Sequence, residues 1–151
     1  MRRILRTSKS VTGAAVALLA LGTWLPASAE QFRQLGAYQG HYSLVPTTFL
    51  SPEVAADYGI TRGRDRALLN VSIIDPDAGP VRAEVTGTVR DLLGIVQPLE
   101  FEEILEGDAV YYLATVKHAD QEVLRFAIDV RTPDGASHLL TFQQKTYWDD
   151  R

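Results

Sequence analysis

The sequence has no cysteine among its 151 residues. That absence excludes a disulfide framework, a thiolate metal site and a cysteine nucleophile together. No serine sits in a G-x-S-x-G elbow, so the strand–turn–helix that presents a hydrolase nucleophile is missing. The three histidines, His41, His118 and His138, are far apart in the chain and form no H-x-x-x-H pair. There is no internal repeat and no low-complexity run. There is also no basic stripe of the kind that marks nucleic-acid binding: 15 Lys and Arg face 19 Asp and Glu, for a net charge of −4. Finally, the longest apolar stretch, Val11 to Leu25, is short of the roughly 20 residues that a membrane-spanning helix needs.

What is present begins with an address. Arg2, Arg3, Arg6 and Lys9 form a basic segment, the apolar stretch follows, and Pro26 with Ala27-Ser28-Ala29 supplies a small-residue cleavage signature before Glu30. Residues 1–29 are expected to be a cleaved signal peptide, leaving 30–151 as one periplasmic domain with no stable membrane anchor. The segment takes four basic residues with it, so 30–151 keeps 11 basic and 19 acidic residues, a net charge of −8. Such a balance favours solubility and argues against docking on anionic lipid.

Residues 30–151 read as about seven strands. Arg66–Asp75 places Leu69, Val71 and Ile73 on one face and Asn70 and Ser72 on the other. Val81–Asp91 alternates Val85, Gly87 and Val89 with Thr86, Thr88 and Arg90, and Glu122–Arg131 alternates Leu124, Phe126, Ile128 and Val130 with Arg125 and Asp129. Period two marks half-buried strands. Ala37–Val45, Leu99–Leu105, Ala109–His118 and Ser137–Tyr147 complete the set. Asp75 to Pro80, Glu106-Gly107-Asp108 and Thr132-Pro133-Asp134-Gly135 supply turns. One short helix is expected after Ser51, with Pro52 at its first position, Glu53 in its first turn and Gly59 to end it. The tail Trp148 to Arg151 is expected to fray. The fold class is therefore all-β: an immunoglobulin-like antiparallel sandwich, with a closed barrel as the alternative.

Thr48-Phe49-Leu50, then Pro52-Glu53-Val54-Ala55, Tyr58-Gly59-Ile60 and Arg62, form a distinctive run. With Pro98–Thr115, Glu122–Val130 and the amino-terminal signal, it resembles the DUF4426 family of small exported proteins from Gram-negative bacteria. The resemblance implies an all-β periplasmic domain. It brings no activity, because the family has no established catalytic residues.

Among chemistry-bearing residues, Arg62, Arg64 and Arg66 stand out. Three guanidinium groups at alternate positions lead into a strand of an acidic chain. If that stretch is extended, they share a face and can hold a carboxylate or phosphate; pairing with Asp57 or Asp65 is the plainer role. Glu100, Glu102, Glu103, Glu106 and Asp108 read as a solvated face that guards a strand edge rather than as a glycosidase pair. Asp75-Pro76-Asp77 lacks the further ligands of a calcium loop. Ser51 has its capping role. No cofactor is expected. The function these residues support is a non-enzymatic binding or interaction module of the cell envelope, its partner an envelope protein or a small anionic ligand. Metal-dependent chemistry through His41, His118 or His138 is one alternative. A chaperone-like factor that captures clients by adding a strand is the other.

Overall fold

The computed structural model describes residues 31–149; the expected signal peptide lies outside the described residues. The described residues form ten strands, one short α-helix and a 3-10 turn at Thr47–Phe49: β1 (Gln31–Leu35), β2 (Tyr38–Pro46), α1 (Pro52–Asp57), β3 (Arg66–Asp75), β4 (Gly79–Val81), β5 (Glu84–Arg90), β6 (Val96–Leu99), β7 (Glu102–Glu106), β8 (Ala109–Lys117), β9 (Val123–Arg131) and β10 (Ser137–Lys145). All pairings are antiparallel. One sheet runs β1-β2-β3-β8-β7, with β4 completing the far end of β3; the other runs β10-β9-β5-β6. This is the all-β sandwich the sequence implied. It is not a closed barrel, because β1 and β7 bound one sheet and β10 and β6 the other.

Alternation builds the core as expected. Leu69, Val71 and Ile73 of β3 meet Val89, Leu124, Phe126, Ile128, Val130 and Leu140 of the opposite sheet, all buried. Phe142 stacks between Tyr42 and Phe126, with ring centroids at 4.1 and 4.5 Å.

Three strands exceed the expected seven, each for a physical reason. β1 buries only Leu35 and leaves Phe32 exposed beside Gln31, Arg33 and Gln34, so its pairing with β2 left no apolar period to read. β4 contains Pro80 and only three residues; it lies at the margin of the sheet, where a missing N–H is tolerated. The stretch expected as one strand, Leu99–Leu105, is two. The chain changes sheets at Glu100-Phe101, and Phe101 packs against the core at that corner.

The helix forms as the sequence indicated. Ser51 Oγ accepts from Val54 N at 3.2 Å, and Gly59 leaves the helix at φ +63°. The helix lies over the outer face of the first sheet, where Val54 and Tyr58 share an apolar seam with Leu68 and Leu113. This cover explains why Leu68, on the outward face of β3, is buried.

The register brings four connections to one end of the sandwich. Pro46 pairs with Ala67, Arg66 with Lys117, Arg90 with Arg125, and Lys145 with Val123. The β2–β3 segment, the β5–β6 tip, the β8–β9 turn and the C-terminal tail therefore meet there.

Candidate functional site

The segment that links β2 to β3 is organised by a fully buried threonine. Thr47 Oγ1 accepts from Gly63 N at 3.0 Å, and its proton faces the carbonyls of Gly63 at 3.1 Å and Arg66 at 3.2 Å. Arg66 N donates to Gly63 O at 3.2 Å, which closes a turn. The stretch is thus turned rather than extended, and the three arginines do not form the single row that an extended strand would give. Arg62 donates to the Thr48 carbonyl at 3.0 Å and remains exposed. Arg64 lies over the Trp148 ring, its guanidinium carbon 4.3 Å from the ring centroid. Arg66 Nε stands 3.8 Å from Asp65 Oδ1.

The tail that the sequence suggested would fray is instead held through Asp149. Thr146 N donates to Glu122 O at 2.7 Å, Trp148 N to Asp120 Oδ1 at 3.0 Å, Trp148 Nε1 to His118 O at 3.3 Å and Asp149 N to Arg64 O at 3.4 Å. Thr48 Oγ1 donates to Asp149 Oδ2 at 2.7 Å. None of these partners is near in sequence, so no local pattern signals them.

Between this tail and the ends of β2 and β3 lies a cavity of about 440 Å³, lined by Leu44, Pro46, Ala67, His118, Gln144, Tyr147 and Trp148 among others. That size suits a small ligand. His118 is buried. Its Nδ1 is 2.9 Å from the Ala119 carbonyl, which only accepts, so Nδ1 is the donor of that contact. That contact holds the ring in the cavity wall. None of the three arginines lines this cavity; Arg64 reaches its wall by lying over Trp148.

The other sequence candidates fall elsewhere. His41 faces outward on β2, stacked with Phe32 at 5.4 Å and 3.3 Å from Gln39 Oε1. His138 stands at the opposite end of the sandwich, its ring against Gly36 and its Nε2 buried without a hydrogen-bond partner. Among the described residues no three His, Asp or Glu side chains converge on one point. Asp75 Oδ1 closes its own turn by accepting from Asp77 N and Ala78 N. Glu100 and Glu102 border a smaller open cavity beside Tyr58. Glu103 is engaged by Arg82, with Nε at 3.2 Å, and by the Tyr112 hydroxyl at 3.1 Å. Those contacts hold the Glu103 carboxyl below its usual range, the arginine hydrogen bond contributing most. Burial pushes the Tyr112 hydroxyl up. The Thr132 hydroxyl, followed by the Ala136 amide, lowers the Asp134 carboxyl. These two networks staple the sheet-to-sheet corner at Ala83 and the β9–β10 turn; they are structural.

One feature of the same end carried no expectation: Leu92, Leu93, Ile95 and Val96 at the β5–β6 tip are all exposed. The signal was available as an apolar run around Gly94, where a hairpin turn ordinarily carries polar residues.

Two antiparallel sheets packed face to face place the chain among small all-β sandwich proteins. It belongs to the DUF4426 family, a domain of unknown function whose model matches residues 32–149. The crystal structure of a DUF4426 family protein from Pseudomonas aeruginosa PAO1 is similar over 80% of this chain and 97% of that one, with 33% identity and a TM-score of 0.72. A copper-bound variant of FetP from uropathogenic Escherichia coli strain F11 is similar over 80% and 97%, with 11% identity and a TM-score of 0.58; that likeness concerns the fold. An as-isolated form of FetP, expressed recombinantly in the periplasm, matches at 11% identity and a TM-score of 0.57. No curated protein matches the sequence.

Proposed function

We propose that this chain is an exported, periplasmic, non-enzymatic binding or interaction module, and that it works through the end of the sandwich that carries the cavity. The observation behind this reading is a cavity walled by a pinned C-terminal tail, with Arg64 stacked on Trp148 of that wall and Arg62 and Arg66 on the same short segment. The ligand is a small anion or an acidic group of an envelope protein: arginine holds carboxylate or phosphate by forked hydrogen bonds, and His118 adds a polar ring to the cavity wall. Arg62 and Arg66 are the recognition groups; Arg64 positions the tail.

Copper belongs to the description of the FetP variant. For this chain a metal reading through His41, His118 and His138 has no geometric observation in its favour, since the three occupy the outer face of β2, the cavity end and the opposite end. Strand addition would use a free edge, of which nine-residue β10 is the longest.

Co-purification from periplasmic extract tests the reading, with the wild type set against an Arg62→Glu/Arg66→Glu double variant. The expected result is loss of the bound partner or ligand from the variant at unchanged melting temperature. Identical bound sets would remove the arginine segment from the account.

A further inference from the structure

The β5–β6 connection is a short, preformed apolar tip. Asp91 N donates to Ile95 O at 3.1 Å, Gly94 N to Asp91 O at 3.3 Å, and Asp91 Oδ1 accepts from Ile95 N at 2.8 Å. The one carboxylate of the tip is thus turned back onto the loop's own backbone, and the loop needs no ordering on contact. Leu93 is 88% exposed, Leu92 and Ile95 59% each and Val96 43%. Four adjacent aliphatic side chains in water, on a turn, call for an apolar environment.

The surroundings say which one. Arg90 and Arg125 are cross-strand partners on the outer face of the second sheet, one rung from the tip, and Lys145 lies one rung beyond Arg125 on the same face. None of the three forms an ion pair among the described residues. The acidic groups of that face, Glu84 and Asp129, are at its other end. Asp120, Glu122 and Asp149 also lie at this end, where each accepts a hydrogen bond from the neighbouring turn or tail, but the outer sheet face beside the tip carries the basic groups alone. A second copy meeting the tip head-on would set Arg90 and Arg125 against themselves. A protein groove would have to be filled by a turn too narrow to bury the roughly 800 Å² per partner of a stable interface.

We infer that Leu92, Leu93 and Ile95 insert into a lipid bilayer whose anionic headgroups are met by Arg90, Arg125 and Lys145, so that this end of the sandwich faces the membrane surface. An apolar tip that enters the headgroup–acyl boundary beside basic side chains is the signature of a peripheral lipid-binding surface. Tyr147, exposed at the same end, suits the headgroup level. The overall acidity opposes approach at long range, but within a Debye length the local basic face dominates. This inference is independent of what occupies the cavity.

The experiment is sedimentation of the protein, purified as secreted, with vesicles of phosphatidylglycerol and phosphatidylethanolamine or of phosphatidylcholine alone, at low and high salt. The wild type is expected to pellet with the anionic vesicles and to release as salt rises. Leu93→Ser is expected to weaken binding by about tenfold or more. Arg125→Glu should weaken it about fivefold or more and flatten the salt dependence. Leu139→Ser, which removes an exposed leucine at the opposite end, should change nothing. The inference is overturned if the wild type stays in the supernatant, if it binds both vesicle types equally, or if Leu93→Ser pellets like the wild type. A concentration-dependent dimer abolished by Leu93→Ser, without vesicle binding, would also overturn it.

Discussion

Replacing Gly87 by alanine is expected to destabilise the fold by about 3 kcal/mol. Gly87 is an inward position in the middle of β5, directly opposite Ile128 of β9. A methyl group there would stand 2.7 Å from the Ala127 carbonyl oxygen and 3.1 Å from the Ile128 Cα. Non-bonded carbon contacts settle near 3.5–4.0 Å. The obstacle is backbone, so no rotamer change relieves it. β9 cannot retreat either, because its other side is bonded to β10 along nine residue pairs. Either the β5–β9 ladder opens or the sheets move apart around Ile128, which is completely buried. In a domain of this size the melting temperature should fall by about 10 °C or more. Thermal unfolding followed by circular dichroism measures it, with outward-facing Thr88→Ala as the comparison; equal melting temperatures for the two variants would show that the strands yield.

The second large effect is expected at Thr47. Thr47→Val keeps the shape and removes the hydroxyl. The Gly63 N–H then loses its acceptor in a buried setting, at a cost of about 2 kcal/mol. The damage should be local as well as global, since Thr47 ties the Gly63 turn to the end of β2. Amide exchange at Gly63 and Arg66 should accelerate by an order of magnitude or more relative to the centre of β3. Thr47→Ser retains the hydroxyl and should keep both amides protected. Unchanged exchange in the valine variant would mean that the segment is held by the Arg62–Thr48 and Arg64–Trp148 contacts alone.

What the chain disclosed in advance follows from how local each cause is. The alternation of Leu69-Val71-Ile73 and of Leu124 to Val130 is written into a few successive residues, so the core faces were legible. Ser51-Pro52-Glu53 carried the helix start in three letters. The turn at Arg62–Arg66 was not legible, because it depends on Thr47, which is 16 residues from Gly63 in sequence. The tail escaped for the same reason: Asp149 meets Thr48 across 101 positions. The corner at Glu100-Phe101 is set by where two sheets must exchange the chain, and no single-strand pattern encodes that. The cavity is the sum of these long-range contacts. His118 is therefore recognisable as a cavity residue only once the tail is in place.

The account stands on one end of this sandwich being its working surface. In-cell photo-cross-linking reads that directly. A benzophenone side chain is placed at Leu93, Trp148 or Arg62 at that end, and at Leu105, Leu139 or Asp77 away from it. The account predicts adducts with envelope protein or lipid from the first three positions and none from the last three. Adducts confined to Leu105, Leu139 or Asp77, with the cavity end unlabelled, would contradict it.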